Sequence, residues 1–137
     1  MVGTIDNCTN YSIHKDTQII GAYSFADKLQ IETITIPEGV TFIGVAAFEN
    51  CTNLKSVTIS NSVIEIDIAA FSNCENLKTV IIGSGVLVIR SSAFDDCLNL
   101  KYVYYIGTKE EWSAISIDSY NDPFKNATIH YNYVPEN

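Results

Sequence analysis

The sequence predicts a repeat solenoid of α/β to mostly β class, a right-handed stack of about five coils of 23 residues closed by a C-terminal cap. Three observations lead to this fold. Phenylalanines recur 23 positions apart, at Phe25, Phe48, Phe71 and Phe94. Columns of cysteine, leucine, valine and isoleucine follow the same period, and turn-forming polar residues recur between them. One coil cannot enclose its own apolar side chains, but stacked coils share one continuous core.

The repeating unit reads F-x2-C-x2-L-x2-V-x-I-x3-V-x2-I. Over four coils beginning at Phe25, only Lys28 and Lys109 place a polar residue in these seven columns. The chain has 137 residues, of which 47% are hydrophobic. Most of that apolar content is therefore periodic, as expected of a core built from repeated strands and turns.

Each coil is predicted to contain four elements in order. A strand covers V-x-I, a turn follows it, a short extended piece covers V-x2-I, and a short helical or 3₁₀ segment covers A-F-x2-C. Asn or Asp recurs two residues after each periodic Phe, and Gln30 or Asn recurs five residues after it, where such side chains can bond backbone groups at a corner. The turns after the strands occupy residues 37–39, 60–62 and 83–85.

The period divides the chain into three parts. Residues 1–21 form a degenerate N-terminal coil, residues 22–105 carry the regular repeats, and residues 106–137 are predicted to be a C-terminal cap. In the cap, Ile129 and Tyr131 return 26 positions after Val103 and Tyr105. We interpret this offset as a three-residue insertion followed by a last edge strand.

The charge balance excludes several classes of partner. Eight basic residues against sixteen acidic ones give a net charge of −8, which repels phosphate backbones and anionic lipid. We therefore expect no nucleic acid and no membrane insertion, and no apolar stretch approaches the ~20 residues of a membrane span. Residues 1–17 lack the basic start and apolar run of a secretion signal, so no signal or anchor is expected in this chain.

The four cysteines suggest two disulfides at first, but their positions indicate otherwise. Cys51, Cys74 and Cys97 share one apolar column, where small buried side chains with free thiols are expected. Cys8 falls in the leucine column instead. Zinc sites usually use cysteine pairs two to four residues apart, and the sequence has no such pair. We predict no metal and no cofactor.

The sequence offers one compact set of nucleophile, base and carboxylate, formed by Cys8, His14 and Asp16. The period places Cys8 toward the core and His14 on the outer face of its strand, so these side chains point in opposite directions. The second histidine, His130, is about five coils away. The expectation is that the protein is not an enzyme and has no catalytic residues.

The repeat resembles the BspA-like class of leucine-rich repeat found in cell-surface proteins of bacteria and protists. The residues that carry the resemblance are LKSVTI at 54–59 and AFSNCENL at 70–77, repeated one period later. Residues 105–108, 111–112 and 126–131 look like a terminal segment common in surface proteins of gut Firmicutes. Two features depart from the family pattern: the first coil lacks the Ala-Phe signature, and no signal or anchor is present.

The resemblance implies a binding role and a cell-surface location, not a catalysed reaction. Family members are typically secreted to the cell surface, and some are adhesins for host matrix proteins or other cells. It implies an extracellular or cell-surface location and a protein or glycan ligand, host extracellular matrix included. A structural spacer or terminal capping domain of a longer surface protein is the alternative.

The predicted ligand-binding residues lie on the outward face of the V-x-I strands. With Val57 and Ile59 inward, the period-two alternation of a strand turns the intervening side chains outward. An ordinary β-sheet surface would also be rich in Thr, and Trp112 or Tyr133 of the cap could cover the tyrosines. The predicted site comprises Thr33, Thr35, Ser56, Thr58, Thr79, Ile81, Tyr102 and Tyr104.

A column of like charge, Lys55, Lys78 and Lys101, also repeats at coil spacing. It could bind acidic ligands, but the sequence favours a role in opposing edge association and aiding solubility. Glu49, Glu75 and Asp95 are expected to lie near enough to moderate the repulsion.

Overall fold

The computed structural model describes residues 10–135 as a stack of coils with two parallel sheets and a C-terminal segment that holds two short helices. The predicted solenoid is confirmed, and the stack runs without interruption from Asn10 to His130. The elements are β1 (Asn10–Ser12), β2 (Ile19–Ile20), β3 (Thr33–Ile36), β4 (Phe42–Ile43), β5 (Ser56–Ile59), β6 (Glu65–Ile66), β7 (Thr79–Ile82), β8 (Val88–Ile89), β9 (Tyr102–Tyr105), α1 (Lys109–Ser113), β10 (Ser116–Ile117), α2 (Asp122–Asn126) and β11 (Thr128–His130).

Within the described residues, the larger sheet has six strands in the order β1-β3-β5-β7-β9-β11, and the smaller has five in the order β10-β8-β6-β4-β2. Every pairing is parallel, and each strand pairs with the equivalent strand of the next coil. Val57 lies opposite Val80, and Val80 lies opposite Val103. Residues 23 positions apart in the sequence are thus directly paired in the sheet.

The core consists of the predicted apolar columns stacked between the two sheets. In β5, β7 and β9, buried residues alternate with half-buried ones, as one-sided burial of a strand requires. The phenylalanine rings form a continuous pile. Phe71 lies 5.0 Å from Phe48 and 5.3 Å from Phe94 between ring centroids, and the planes are nearly parallel. The pile ends on Phe124 of α2, 4.5 Å from Phe94.

The segment around A-F-x2-C is not the helical or 3₁₀ element that the sequence suggested. It is a run of turns, because Ala46 (φ 54°) and Asn50 (φ 62°) adopt left-handed backbone conformations that interrupt any helix. Alternate amides in the segment donate to the following coil: Ala46 N–H to Ile68 O at 2.9 Å and Phe48 N–H to Ala70 O at 2.7 Å. Backbone hydrogen bonds between coils, which a single repeat cannot reveal, stabilise this corner.

The last coil is closed by a segment with its own capping interactions. Thr108 accepts the Glu111 N–H at 3.1 Å, and the Glu111 carboxylate accepts the Thr108 N–H at 2.8 Å. This reciprocal pair is a capping box that begins α1. β11 pairs with β9 in parallel, with Ile129 opposite Val103, as the 26-residue offset predicted. The division at residues 21 and 105 remains a prediction, and residues 1–9 lie outside the described part.

Candidate functional site

The outer face of the six-stranded sheet carries all eight predicted site residues. They form two columns, because equivalent positions of successive coils are directly paired. Thr35 is exposed, and the other seven are half-buried by their neighbours along the sheet. One column contains Thr33, Ser56, Thr79 and Tyr102, and the other contains Thr35, Thr58, Ile81 and Tyr104.

The composition of this face changes along the stack. The coils of β3 and β5 present only hydroxyl side chains in the two columns. β7 presents Thr79 and Ile81, and β9 presents Tyr102 and Tyr104. The face thus runs from small hydroxyls at one end to large aromatic rings at the other.

Four aromatic side chains meet at the C-terminal end of this face, and we call them the aromatic cluster: Tyr102, Tyr104, His130 and Tyr133. The imidazole of His130 stacks on Tyr104 with centroids 4.9 Å apart and planes 12° from parallel. Tyr133 packs against Tyr104 from another side at 4.9 Å, and Tyr102 lies 6.1 Å from Tyr104. Rings held against one another lose little conformational freedom on binding, and their polar atoms remain able to hydrogen-bond.

His130 was not among the predicted site residues, and two contributions of the cap, from Trp112 and Tyr133, were left open. A signal for His130 was available: the 26-residue offset that aligns Ile129 with Val103 also aligns His130 with Tyr104. Of the two residues expected to cover the tyrosines, Tyr133 does contact Tyr104. Trp112 instead packs against Tyr105 at 5.1 Å and Phe124 at 5.5 Å. The cap therefore extends the aromatic cluster from one side, while His130 stays exposed.

The catalytic set considered from the sequence is described only in part. Cys8 lies outside the described residues. His14 lies beyond the end of β1, in the turn that follows, rather than on the strand itself. Its Nδ1 accepts the backbone N–H of Asp16 at 3.1 Å, and both side chains are largely exposed. This geometry is that of a solvated turn, and His130 lies at the opposite end of the stack.

The three cysteines of the periodic column are buried free thiols, as predicted. Each Sγ donates to a backbone carbonyl of the preceding coil: Cys51 to Phe25 O at 3.1 Å, and Cys74 to Phe48 O at 3.3 Å. Burial raises the pKa of Cys51 to about 11. Hydrogen bonding with Cys97, together with burial, raises the pKa of Cys74. Both thiols therefore stay protonated and weakly nucleophilic at neutral pH.

Residues 10–135 hold neither a metal-binding cluster nor a membrane-spanning helix. Among these residues, no three His, Cys, Asp or Glu side chains are grouped so that they could hold a metal ion. Neither helix in this range combines the length and the apolar character needed to cross a bilayer.

One family model and two solved structures are similar to this chain. A family model described as a BspA type leucine rich repeat region matches residues 4–129 in six copies. Among solved structures, the chain is similar to a leucine rich cell surface protein from Faecalibacterium prausnitzii A2-165, with 27% sequence identity and a TM-score of 0.60. That alignment covers 79% of this chain and 35% of the Faecalibacterium protein.

A leucine-rich repeat protein from Bacteroides ovatus ATCC 8483 aligns with 17% identity and a TM-score of 0.27, over 91% of this chain and 57% of that protein. The chain thus spans about a third of the first of these two proteins and little more than half of the second. No curated protein sequence matches the chain.

Proposed function

This chain belongs to the BspA-type leucine-rich-repeat family, and we propose that it is a non-enzymatic binding or adhesion module of a cell-surface protein. The ligand is a macromolecule, a protein or a glycan, and it contacts the outer face of the six-stranded sheet. Extracellular location is part of the proposal, since the similar Faecalibacterium chain is described as a cell surface protein. Host extracellular matrix is the class of partner that the family resemblance suggests.

The observation that carries the proposal is the aromatic cluster at the end of a hydroxyl-rich face. A sheet face that binds nothing needs only side chains that favour strands, and Thr and Ser serve that purpose in β3 and β5. Tyr102 and Tyr104 add two large amphipathic side chains on the face that points away from the core. Tyrosine side chains of this kind often dominate the energy of binding in protein interfaces.

The proposal is tested by removing the two tyrosines without disturbing the core. The double variant Tyr102→Ala/Tyr104→Ala is compared with the wild type for binding to surfaces coated with collagen, laminin or mucin, measured by surface plasmon resonance. We expect a loss of about tenfold or more in affinity, since truncating a tyrosine at the centre of an interface commonly costs over ~1 kcal/mol.

The matched control is Tyr23→Ala/Tyr120→Ala, which removes two tyrosines that are 61% and 68% exposed and lie outside the sheet. Its affinity should stay within about twofold of the wild type, as is usual for residues outside an interface. Circular dichroism and a urea titration of all variants verify that the fold is retained. Unchanged binding of the Tyr102→Ala/Tyr104→Ala variant would exclude this face as the site.

The alternative is a structural spacer or terminal capping domain of a longer surface protein. One observation favours it: the similar Faecalibacterium protein is much longer, and the alignment covers 35% of it. A spacer should not bind any of the coated surfaces, and its variants at Tyr102 and Tyr104 should behave as the wild type does.

A further inference from the structure

Three lysines occupy equivalent positions immediately before β5, β7 and β9. Lys78 N–H donates to Lys55 O at 2.9 Å, and Lys101 N–H donates to Lys78 O at 2.9 Å, so the sheet ladder extends through them. Their side chains leave the backbone one coil apart, at the ~4.8 Å spacing of neighbouring strands. All three are exposed. The result is a row of ammonium groups with one charge per coil, which we call the lysine row.

Protection of sheet edges does not account for the lysine row. In the described part of the chain the edge strands of this sheet are β1 and β11, whereas β5, β7 and β9 are interior. Like charges on directly paired positions repel one another, so the row costs stability instead of adding to it. Opposition to edge association, one part of the role that the sequence favoured for these lysines, therefore does not fit where they lie.

Among the described residues, none of the three lysines forms an ion pair with the carboxylates expected from the sequence, Glu49, Glu75 and Asp95. Lys55 Nζ pairs with Glu32 Oε1 at 3.1 Å. Within residues 10–135, Lys78 and Lys101 form no ion pair. Two adjacent ammonium groups thus remain free to bind an anion.

The lysine row lines one wall of an open groove of about 780 Å³. The amide nitrogens of Asn76 and Asn99 donate to carbonyls of the preceding coil, at 2.8 and 2.7 Å, which fixes both side chains. Leu98 adds an apolar side chain that is 73% exposed. The groove is lined by Lys55, Ser56, Asn76, Lys78, Thr79, Leu98, Asn99, Leu100 and Lys101.

We propose that this groove binds a linear anionic polysaccharide, with Lys78 and Lys101 contacting successive sulfate or carboxylate groups. Charge complementarity selects an anion, and the fixed amides and hydroxyls along the groove suit a ligand rich in hydroxyl groups. Leu98 offers an apolar surface for one face of a sugar ring. An acidic peptide fits less well, since same-side residues of an extended strand lie about 6.6 Å apart, whereas the lysines leave the backbone ~4.8 Å apart.

The net negative charge of the whole chain is compatible with an anion-binding groove. At physiological ionic strength, charges separated by more than about 8 Å are largely screened. A ligand seated in the groove therefore interacts mainly with the lysine row, and the net charge of −8 opposes its approach mainly at low ionic strength. The interaction should be weak for a single chain and sensitive to salt.

The groove shares Ser56 and Thr79 with the predicted sheet-face site but does not include Tyr102 or Tyr104, so the lysine variants and the tyrosine variants test the two proposals separately. The test measures binding of the wild type to immobilised dextran sulfate, polygalacturonate, neutral dextran and poly-L-glutamate over a series of salt concentrations. The groove variant is Lys78→Gln/Lys101→Gln. The control variant is Lys15→Gln/Lys28→Gln, which makes the same change of charge at two exposed lysines outside the groove.

We expect the wild type to bind at least one of the two anionic polysaccharides and not neutral dextran. The groove variant should lose about tenfold or more in affinity, and its salt slope should be smaller by about 2, because each lysine that pairs with an anionic group adds about one unit to the slope. The control should keep the slope of the wild type. Equal loss in both variants, no binding to either polysaccharide, or tighter binding to poly-L-glutamate would overturn the proposal.

Discussion

Backbone conformation at single residues explains much of the polar part of the repeat. Each of the four coils whose corners lie between Tyr23 and Asp96 turns through two residues with positive φ, four positions apart. The second position is always Asp or Asn, which tolerate the left-handed region well. There the side chains also bond one another, since Asn73 Nδ2 donates to Asn50 Oδ1 at 2.7 Å. The first column holds Tyr23, Ala46, Ala69 and Ser92, none of which favours this conformation.

Replacing Ala69 by glycine should therefore stabilise the protein. Ala69 has a φ of 59°, in the region where any Cβ is strained, and its side chain is only half-buried. Removing that Cβ relieves about 1 kcal/mol of strain, offset in part by the greater freedom of glycine in the unfolded chain. We expect a net gain of about 0.5 kcal/mol in the free energy of unfolding, measured by urea denaturation.

The neighbouring residue provides the control for this prediction. Ala70 is fully buried and has no positive φ. Ala70→Gly should destabilise the protein by about 1 to 2 kcal/mol, because it removes a buried methyl group and adds unfolded-state freedom. Equal destabilisation by both glycines would show that φ at Ala69 carries no strain.

At the scale of elements, the strands could be predicted from the sequence and the corners could not. Val57 and Ile59 alternate with Ser56 and Thr58, and this local period is enough to define β5 and its inward face. The corner around Ala46 depends on hydrogen bonds to the next coil, which local propensity does not report. The apolar A-F-x2-C segment contains good helix formers and therefore suggested a helical turn. In the stack it is a run of turns instead.

The candidate site, too, could be predicted only where its residues follow a local pattern. Tyr102 and Tyr104 were found because strand alternation is local. Tyr133 lies beyond the periodic part of the chain, so no repeat position predicted that it would pack on Tyr104. The groove along the lysine row is formed by three successive coils, so its lining and the unpaired state of Lys78 and Lys101 become visible only when the coils are stacked.

The cap contains one element that the sequence marked only as a break in the period. Asn121, directly before α2, is fully buried. Its Oδ1 accepts the Phe94 N–H at 2.9 Å, and its Nδ2 donates to Arg90 O and Asp118 O at 3.0 Å. Each earlier coil satisfies the phenylalanine amide with a carbonyl of the next coil, as Phe71 does with Ala93 O at 2.7 Å. Asn121 supplies that missing acceptor where the regular repeat ends.

Asn121→Ala should destabilise the protein by about 2 to 4 kcal/mol, since it leaves a buried N–H and buried carbonyls without partners. Asn121→Asp keeps the acceptor for Phe94 but loses the donor, so it should also destabilise. The control is Asn126→Ala at an exposed position of α2, where a change within about 0.5 kcal/mol is expected. A urea titration followed by tryptophan fluorescence reports on the cap directly, because Trp112 packs against Phe124. A cost of Asn121→Ala no greater than that of Asn126→Ala would contradict this role.

For the molecule as a whole, sequence order and spatial order coincide. In the described residues each strand of either sheet pairs only with its equivalents in the adjacent coils. The free energy of unfolding of such a stack is approximately the sum of the intrinsic stabilities of its coils and the interaction energies between neighbouring coils, because distant coils do not touch. The phenylalanine pile, the thiol column and the asparagine ladder all repeat at this same interval. Any coil can therefore replace its neighbour, provided that the period is conserved.

This equivalence predicts that one whole coil can be deleted. Removal of residues 61–83 joins Ser60 to Ser84, so β5 would pair with β9, Val57 would face Val103, and Phe48 would stack on Phe94. The shortened protein should fold cooperatively with an unchanged circular dichroism spectrum, and its urea m-value should fall by about a sixth, in proportion to chain length. Removal of residues 61–72 deletes fewer residues but joins the end of a strand to a corner, so the columns before the junction no longer align with those after it. That shorter deletion should abolish cooperative unfolding, whereas comparable behaviour of the two deletions would show that the period does not determine the stack.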